Sequence, residues 1–220
     1  MPTIVLLGDS SLNNVKYAPQ GASILELLRA RLPEGVKAVS RALDGNGILE
    51  VIAQAKKVPS EASLLVVSVG MADAMKHEGI FFKKNINAIA LFEQLTVIQE
   101  GFRDKYEAML RNLLNLRLPV AVSTLFTPNP PHQNMRQALA SGLTVFNAAI
   151  LDTAIKFGLP VLDMHNLVRT PGDYADPLHP SAEAGARIAE QIAALAAGHD
   201  FTTRRTVVFA GQPAEAGKKS

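Results

Sequence analysis

The 220-residue sequence contains no cysteine. That absence excludes a disulfide framework, a thiolate nucleophile and a cysteine-ligated metal, and it fits a reducing compartment. The start of the chain lacks a basic segment leading into a short apolar stretch, the pattern of a secretory signal. No apolar run approaches the roughly 18 residues of a membrane-spanning helix. The expectation is a soluble, cytoplasmic protein with no membrane span. A surplus of one charge is missing too, with 22 Lys+Arg against 20 Asp+Glu. The basic residues gather only as the pairs Lys56-Lys57, Lys83-Lys84, Arg204-Arg205 and Lys218-Lys219, which read as solvated faces rather than a nucleic-acid footprint. There is no Gly-x-Gly-x-x-Gly and no P-loop, so nucleotide binding by those routes is unsupported. His77, His132, His165 and His199 show no metal-ligand spacing, and no carboxylate cluster suggests a site. No cofactor, metal or nucleic-acid partner is expected.

What is present is a globular balance of 48% hydrophobic and 19% charged residues, at a length that suits one α/β domain. The first ten residues organise the rest. Ile4-Val5-Leu6-Leu7 is short and wholly apolar, as in a strand buried on both faces, and Gly8-Asp9-Ser10 follows where that strand leaves the sheet. Similar runs recur at Val36–Val39, Leu64–Val69, Val120–Ser123 and Pro160–Leu162. Between them lie stripes with helical spacing: Ile24, Leu28 and Leu32; Ile48, Val51, Ile52 and Ala55; Leu95 through Leu113; Leu139 through Ala154, stopped by Gly158 and Pro160; and Ala184 through Leu195, with Gly198 as a C-cap. The alternation predicts a three-layer α/β/α domain over residues 1–198, built on a mostly parallel sheet of about five strands. Residues 74–92 break the pattern, and the apolar Gly79-Ile80-Phe81-Phe82 reads as either a lid or ordinary core packing. In the tail from His199 to Ser220, Thr206–Ala210 reads as an added edge strand or a partner contact, followed by a disordered Gly/Pro/Lys end.

Four short stretches fall where strands end or the last helix begins. Ser10 reads as a helix cap or as a nucleophile, and as a nucleophile it needs a base held by a third group. His179 precedes a proline and so stands on the extended entry to the terminal helix, for which Ser181 is a good N-cap. Asp176, three residues earlier, is close enough for a turn to bring its carboxylate to the imidazole. Asp44-Gly45-Asn46-Gly47 can turn backbone N–H groups toward developing negative charge, or simply feed a helix. Val69-Gly70-Met71-Ala72-Asp73 ends the third strand. The loop Phe126–Pro131 is stiff with proline and reads as a pocket wall or a rigid turn.

In their joint order these stretches resemble the four blocks of the SGNH/GDSL hydrolases, over roughly residues 3–197. The third block is similar to a bacterial group reading Val-Ser-Val-Gly-Gly-Asn-Asp-Ala, against Val67-Ser68-Val69-Gly70-Met71-Ala72-Asp73-Ala74. The resemblance implies Ser10 as nucleophile, His179 as base and Asp176 as its orienter, with the N–H groups of Ser10 and Gly45 as oxyanion donors. It implies a five-stranded α/β/α fold and a serine esterase that takes a small-molecule ester and needs no cofactor. One departure stands out: Ala72 occupies the place of the family's amide-bearing Asn, and a methyl group cannot donate a hydrogen bond. Asn13, Asn14 and Asn46 lie close by in sequence. The alternatives are a binding or scaffold protein that kept the fold with little activity, and an acyltransferase. No oligomeric state is legible.

Overall fold

The computed structural model describes residues 1–211 except 20, 21, 84 and 86 and the side chains of Phe81 and Phe82. Five apolar runs form β1 (Thr3–Gly8), β2 (Lys37–Ser40), β3 (Ala62–Ser68), β4 (Val120–Ser123) and β5 (Val161–Leu162). A separate antiparallel hairpin consists of β6 (Tyr174–Asp176) and β7 (His179–Pro180). The helices are α1 (Ile24–Arg29), α2 (Ile48–Ala55), α3 (Met71–Met75), α4 (Ala88–Leu114), α5 (Gln133–Phe157), α6 (Met164–Leu167) and α7 (Ala182–Gly198).

The main sheet has six strands, one more than expected, because β8 (Val208–Phe209) joins it. Two residues are too few to show a strand period, and β8 is held by its docking. The Val161 N–H donates to Val207 O at 2.9 Å, and that of Asp163 to Phe209 O at 2.9 Å. Residues 212–220, where a disordered end was expected, lie outside the described residues. Every pairing in this sheet is parallel, in the order β2-β1-β3-β4-β5-β8. The chain moves from β1 to β2 on one side, then crosses β1 to lay β3 on the other. In such sheets the crevice at the carboxyl ends, where the winding reverses, is the usual ligand site. Here it opens between β1 and β3.

Side chains alternate across the sheet. Val5, Leu7, Leu65, Val67, Val120 and Val122 point to the core shared with α2, α4 and α5. Ile4, Leu6, Leu64, Val66 and Ala121 point to the core shared with α1, α6 and α7. This two-sided burial accounts for strands that read as unbroken apolar runs. α5 is long and apolar enough to cross a membrane by length and composition alone, yet Leu139, Leu143, Phe146 and Ile150 lie in the first core. Two ends differ from expectation. α1 stops at Arg29, leaving Leu32 packed beyond it, and Gly198 remains helical while His199 is the cap. The segment after α3 contains a short 3-10 turn, Glu78–Phe82, before Asn87 caps α4.

Tyr106 on α4 is fully buried, and its hydroxyl has no hydrogen-bond partner. An unpaired buried hydroxyl costs about 1–3 kcal/mol. Tyr106→Phe is therefore expected to stabilise the protein by about 1 kcal/mol or more, raising Tm by roughly 2–4 °C per kcal/mol in a thermal melt. A lower Tm would show that the hydroxyl is satisfied.

Candidate active site

The site begins at Gly8. Its φ is +126°, and a Cβ placed there would come within 1.8 Å of the Ser68 carbonyl oxygen of β3. Only glycine lets the two strands end this close together. The Asp9 N–H then donates to Ser68 O at 3.1 Å, and Leu12 and Asn13 donate back to Asp9 O at 3.2 Å, turning the chain sharply. Ser10 stands half-buried on this turn. It caps no helix; Ser23 caps α1, assisted by Asn14 Oδ1, which accepts the Ile24 N–H at 2.8 Å.

Gln54 of α2, 4% exposed, fixes the turn from below. Its Oε1 accepts the Gly8 N–H at 2.7 Å, and its Nε2 donates to Gly8 O at 2.8 Å and to Asn46 Oδ1 at 2.9 Å. Asp73 of α3 reaches across to accept the Ile48 N–H at 2.8 Å, capping α2 and steadying the loop that carries Gly45. Gly45 has φ +76°, in the left-handed region that a glycine adopts freely. Among the described residues, the backbone N–H groups of Ser10 and Gly45 donate to no protein acceptor.

Asp176 and His179 come from the β6–β7 hairpin, where they are paired across the strands. Asp176 Oδ1 accepts the N–H of Leu178 at 2.8 Å and that of His179 at 3.1 Å, and both carboxylate oxygens lie 2.8 Å from His179 Nδ1. Burial works against ionisation of Asp176, but the Leu178 N–H and the imidazole outweigh it and hold the carboxyl below its usual range. Phe126–Pro131 serves as a brace for this arm. The Asn129 N–H donates to Pro177 O at 2.7 Å, and the Tyr174 hydroxyl to Thr127 O at 2.5 Å. Asp173 takes the Arg187 guanidinium, and Ser181 caps α7.

Ser10, Gly45, Asp176 and His179 thus share one edge of the molecule. Asp176 and His179 meet directly, whereas no hydrogen bond links Ser10 Oγ to His179. The imidazole Nε2 instead faces Asp44 Oδ1 at 3.9 Å, and the Tyr17 ring covers the imidazole at 3.4 Å between centroids, 8° from parallel. The Tyr17 hydroxyl donates to Asp44 Oδ2 at 2.8 Å, which holds the Asp44 carboxyl below its usual range and raises the tyrosine. Tyr17 and Gln54 escaped the sequence reading. Gln54 left a trace, a polar residue on the buried stripe of α2; Tyr17 left none. No cluster of three or more His, Asp or Glu able to hold a metal occurs among the described residues.

A family model described as GDSL-like Lipase/Acylhydrolase matches residues 6–188. No curated protein matches. Among solved structures, the lipase Lip_vut3 from a goat rumen metagenome superposes with a TM-score of 0.66 at 18% identity, covering 88% of this chain and 97% of that one. A carbohydrate acetylesterase from Sinorhizobium meliloti gives 0.63 at 14% identity, with 90% and 99% covered. An extracellular lipase from Streptomyces rimosus gives 0.61 at 16%, with 86% and 99% covered.

Asp9 titrates unusually. Burial, opposed by hydrogen bonds from Ser11 and reinforced by Asp44 and Asp73, pushes its carboxyl up to about 6 from 3.8. The folded state then binds the proton more tightly than the unfolded one. The stability this adds is complete below pH 4 and is lost as the pH rises through 6, a swing of about 3 kcal/mol. Relative to the wild type, Asp9→Asn should gain up to about that amount between pH 4 and pH 7 in urea titrations. A difference that does not change with pH would contradict the assignment.

Proposed function

The chain belongs to the GDSL-like lipase/acylhydrolase family, and we propose that it is a serine hydrolase of carboxylic esters using Ser10, His179 and Asp176. The observation that carries this reading is the Asp176–His179 pair at the edge where Ser10 leaves β1, beside two backbone N–H groups without protein acceptors. Catalytic hydrogen bonds are often long before substrate binds, and this reading requires His179 Nε2, which rests 3.9 Å from Asp44 Oδ1, to turn to Ser10. Ser10 Oγ then attacks the ester carbonyl carbon as its proton passes to Nε2. The carboxylate of Asp176 keeps the proton on Nδ1 and stabilises the imidazolium. Negative charge on the carbonyl oxygen falls to the N–H groups of Ser10 and Gly45. Collapse expels the alcohol, which takes the proton from Nε2. Water, activated by the same imidazole, releases the acid and regenerates Ser10. Tyr17 stacks its ring on the imidazole and so restricts how the base can turn.

A fluorophosphonate probe is expected to label the wild type at Ser10 and to leave Ser10→Ala unlabelled, as read by mass spectrometry. With p-nitrophenyl acetate, His179→Ala should lower turnover by about 10²–10⁴-fold. An unlabelled wild type that hydrolyses this ester no faster than Ser10→Ala would favour a binding role for the fold instead.

A further inference from the structure

We propose that the side-chain amide of Asn46 is a third oxyanion donor, an assignment that rests on the hydrolase reading above. A backbone N–H can only donate, so the atom of Gln54 facing the Gly8 N–H at 2.7 Å must be oxygen. The other end of that amide is therefore NH₂. One of its hydrogens goes to the Gly8 carbonyl at 2.8 Å, and the second to the Asn46 side chain at 2.9 Å. The Asn46 atom receiving it must accept, so it is Oδ1. Asn46 thus turns its own NH₂ away from Gln54. Among the described residues this NH₂ has no protein acceptor, and it is not among the buried polar atoms left without a partner.

Its position matches the chemistry. Asn46 directly follows Gly45, whose N–H is also unengaged, and one Gln54 nitrogen bonds both Asn46 and the residue two before Ser10. The amide is held by two consecutive fixed hydrogen bonds rooted in β1. Donors that need no rearrangement as charge develops are the ones that stabilise a transition state best. The neighbouring amides are committed or enclosed. Asn13 Nδ2 donates to Ala42 O at 2.8 Å. Asn14 Nδ2 has no hydrogen-bond partner, but it is buried, against Gly185 of α7. Ala72 has no donor to give.

The test separates donation from support. Asn46→Asp keeps an oxygen for Gln54 but turns the donor into a charged acceptor, whereas Asn46→Ala removes both donor and acceptor. With p-nitrophenyl acetate, both variants should lose about 10²–10³-fold in kcat with little change in KM. Adding Ala72→Asn to Asn46→Ala offers a donor from α3. If Asn46 only supports Gln54, Asn46→Asp will keep wild-type kcat, and that result overturns the proposal. A readout on the wild type needs no variant. In ¹⁵N-labelled protein, a trifluoromethyl ketone that adds to Ser10 should move the Asn46 side-chain amide protons downfield and slow their exchange. Adduct formation without that change also overturns the assignment. Fluorophosphonate labelling distinguishes the failures: a labelled wild type with a fully active Asn46→Asp rejects Asn46 alone, while an unlabelled wild type rejects the hydrolase reading with it.

Discussion

The close approach of Gly8 to Ser68 is the constraint from which the site follows. A Cβ at position 8 would fall 1.8 Å from the Ser68 carbonyl oxygen, so the carboxyl ends of β1 and β3 can touch only because that atom is absent. Contact lets the Asp9 N–H bond across the gap and starts the turn that carries Ser10. It also leaves the N–H and C=O of Gly8 aimed toward α2, where Gln54 takes both. A buried backbone pair without partners would destabilise the strand end it belongs to. Sheet topology puts a crevice at this edge, and the glycine lets the chain turn into it at once.

Much of the fold was legible because a strand buried on both faces advertises itself. Ile4–Leu7 and Leu64–Val69 have no polar alternation, and the stripes between them, Ile48, Val51 and Ala55 among them, keep helical spacing. Together these imply parallel strands with covering helices. β8 was harder to read, since its two residues owe their conformation to β5. At the site, Asp176 and His179 could be linked from sequence because a turn joins residues three apart. The Tyr17–His179 stack joins residues from opposite ends of the chain, and nothing local to Tyr17 hints at it. Nor does a residue pattern reveal that the resting Nε2 faces Asp44. Gln54 falls between these cases: a polar side chain on an apolar stripe signals a buried partner without naming it.

Asp9 shows what this compact edge costs in electrostatic terms. It is buried beside Asp44 and Asp73, and its Oδ2 has no hydrogen-bond partner. Its Oδ1 accepts the Ser11 N–H at 2.9 Å, which pins the chain on the far side of Ser10. The carboxyl thus acts as a local staple for the turn, and its proton affinity rises because the position was set by backbone geometry rather than by solvation. Asp44 and Asp176 differ in having donors of their own. Tyr17 and Lys16 serve the first, and backbone N–H groups and the imidazole the second, so both stay readily ionised.

The two halves of the site are supported in different ways, and the difference suits what each must do. The side bearing Gly45 and Asn46 is tied through Gln54 to a central strand, which would keep the proposed donors aimed. The imidazole rides on a two-strand hairpin outside the main sheet. That hairpin is held by the Asn129 and Tyr174 hydrogen bonds and by the Arg187–Asp173 ion pair. Elements with few buried backbone bonds are the ones that adjust most easily. In the proposed mechanism, a base that must meet Ser10 and then a water molecule gains from such an arm, provided that Asp176 stays with it. Asp176 and His179 face each other across the same hairpin, so the bond between them does not depend on how that hairpin sits against the sheet. Tyr17 covers the imidazole ring and Asp44 faces Nε2. The proposed oxyanion hole on a strand end and the proposed base on a tethered hairpin would reconcile two demands that a single stiff framework sets against each other.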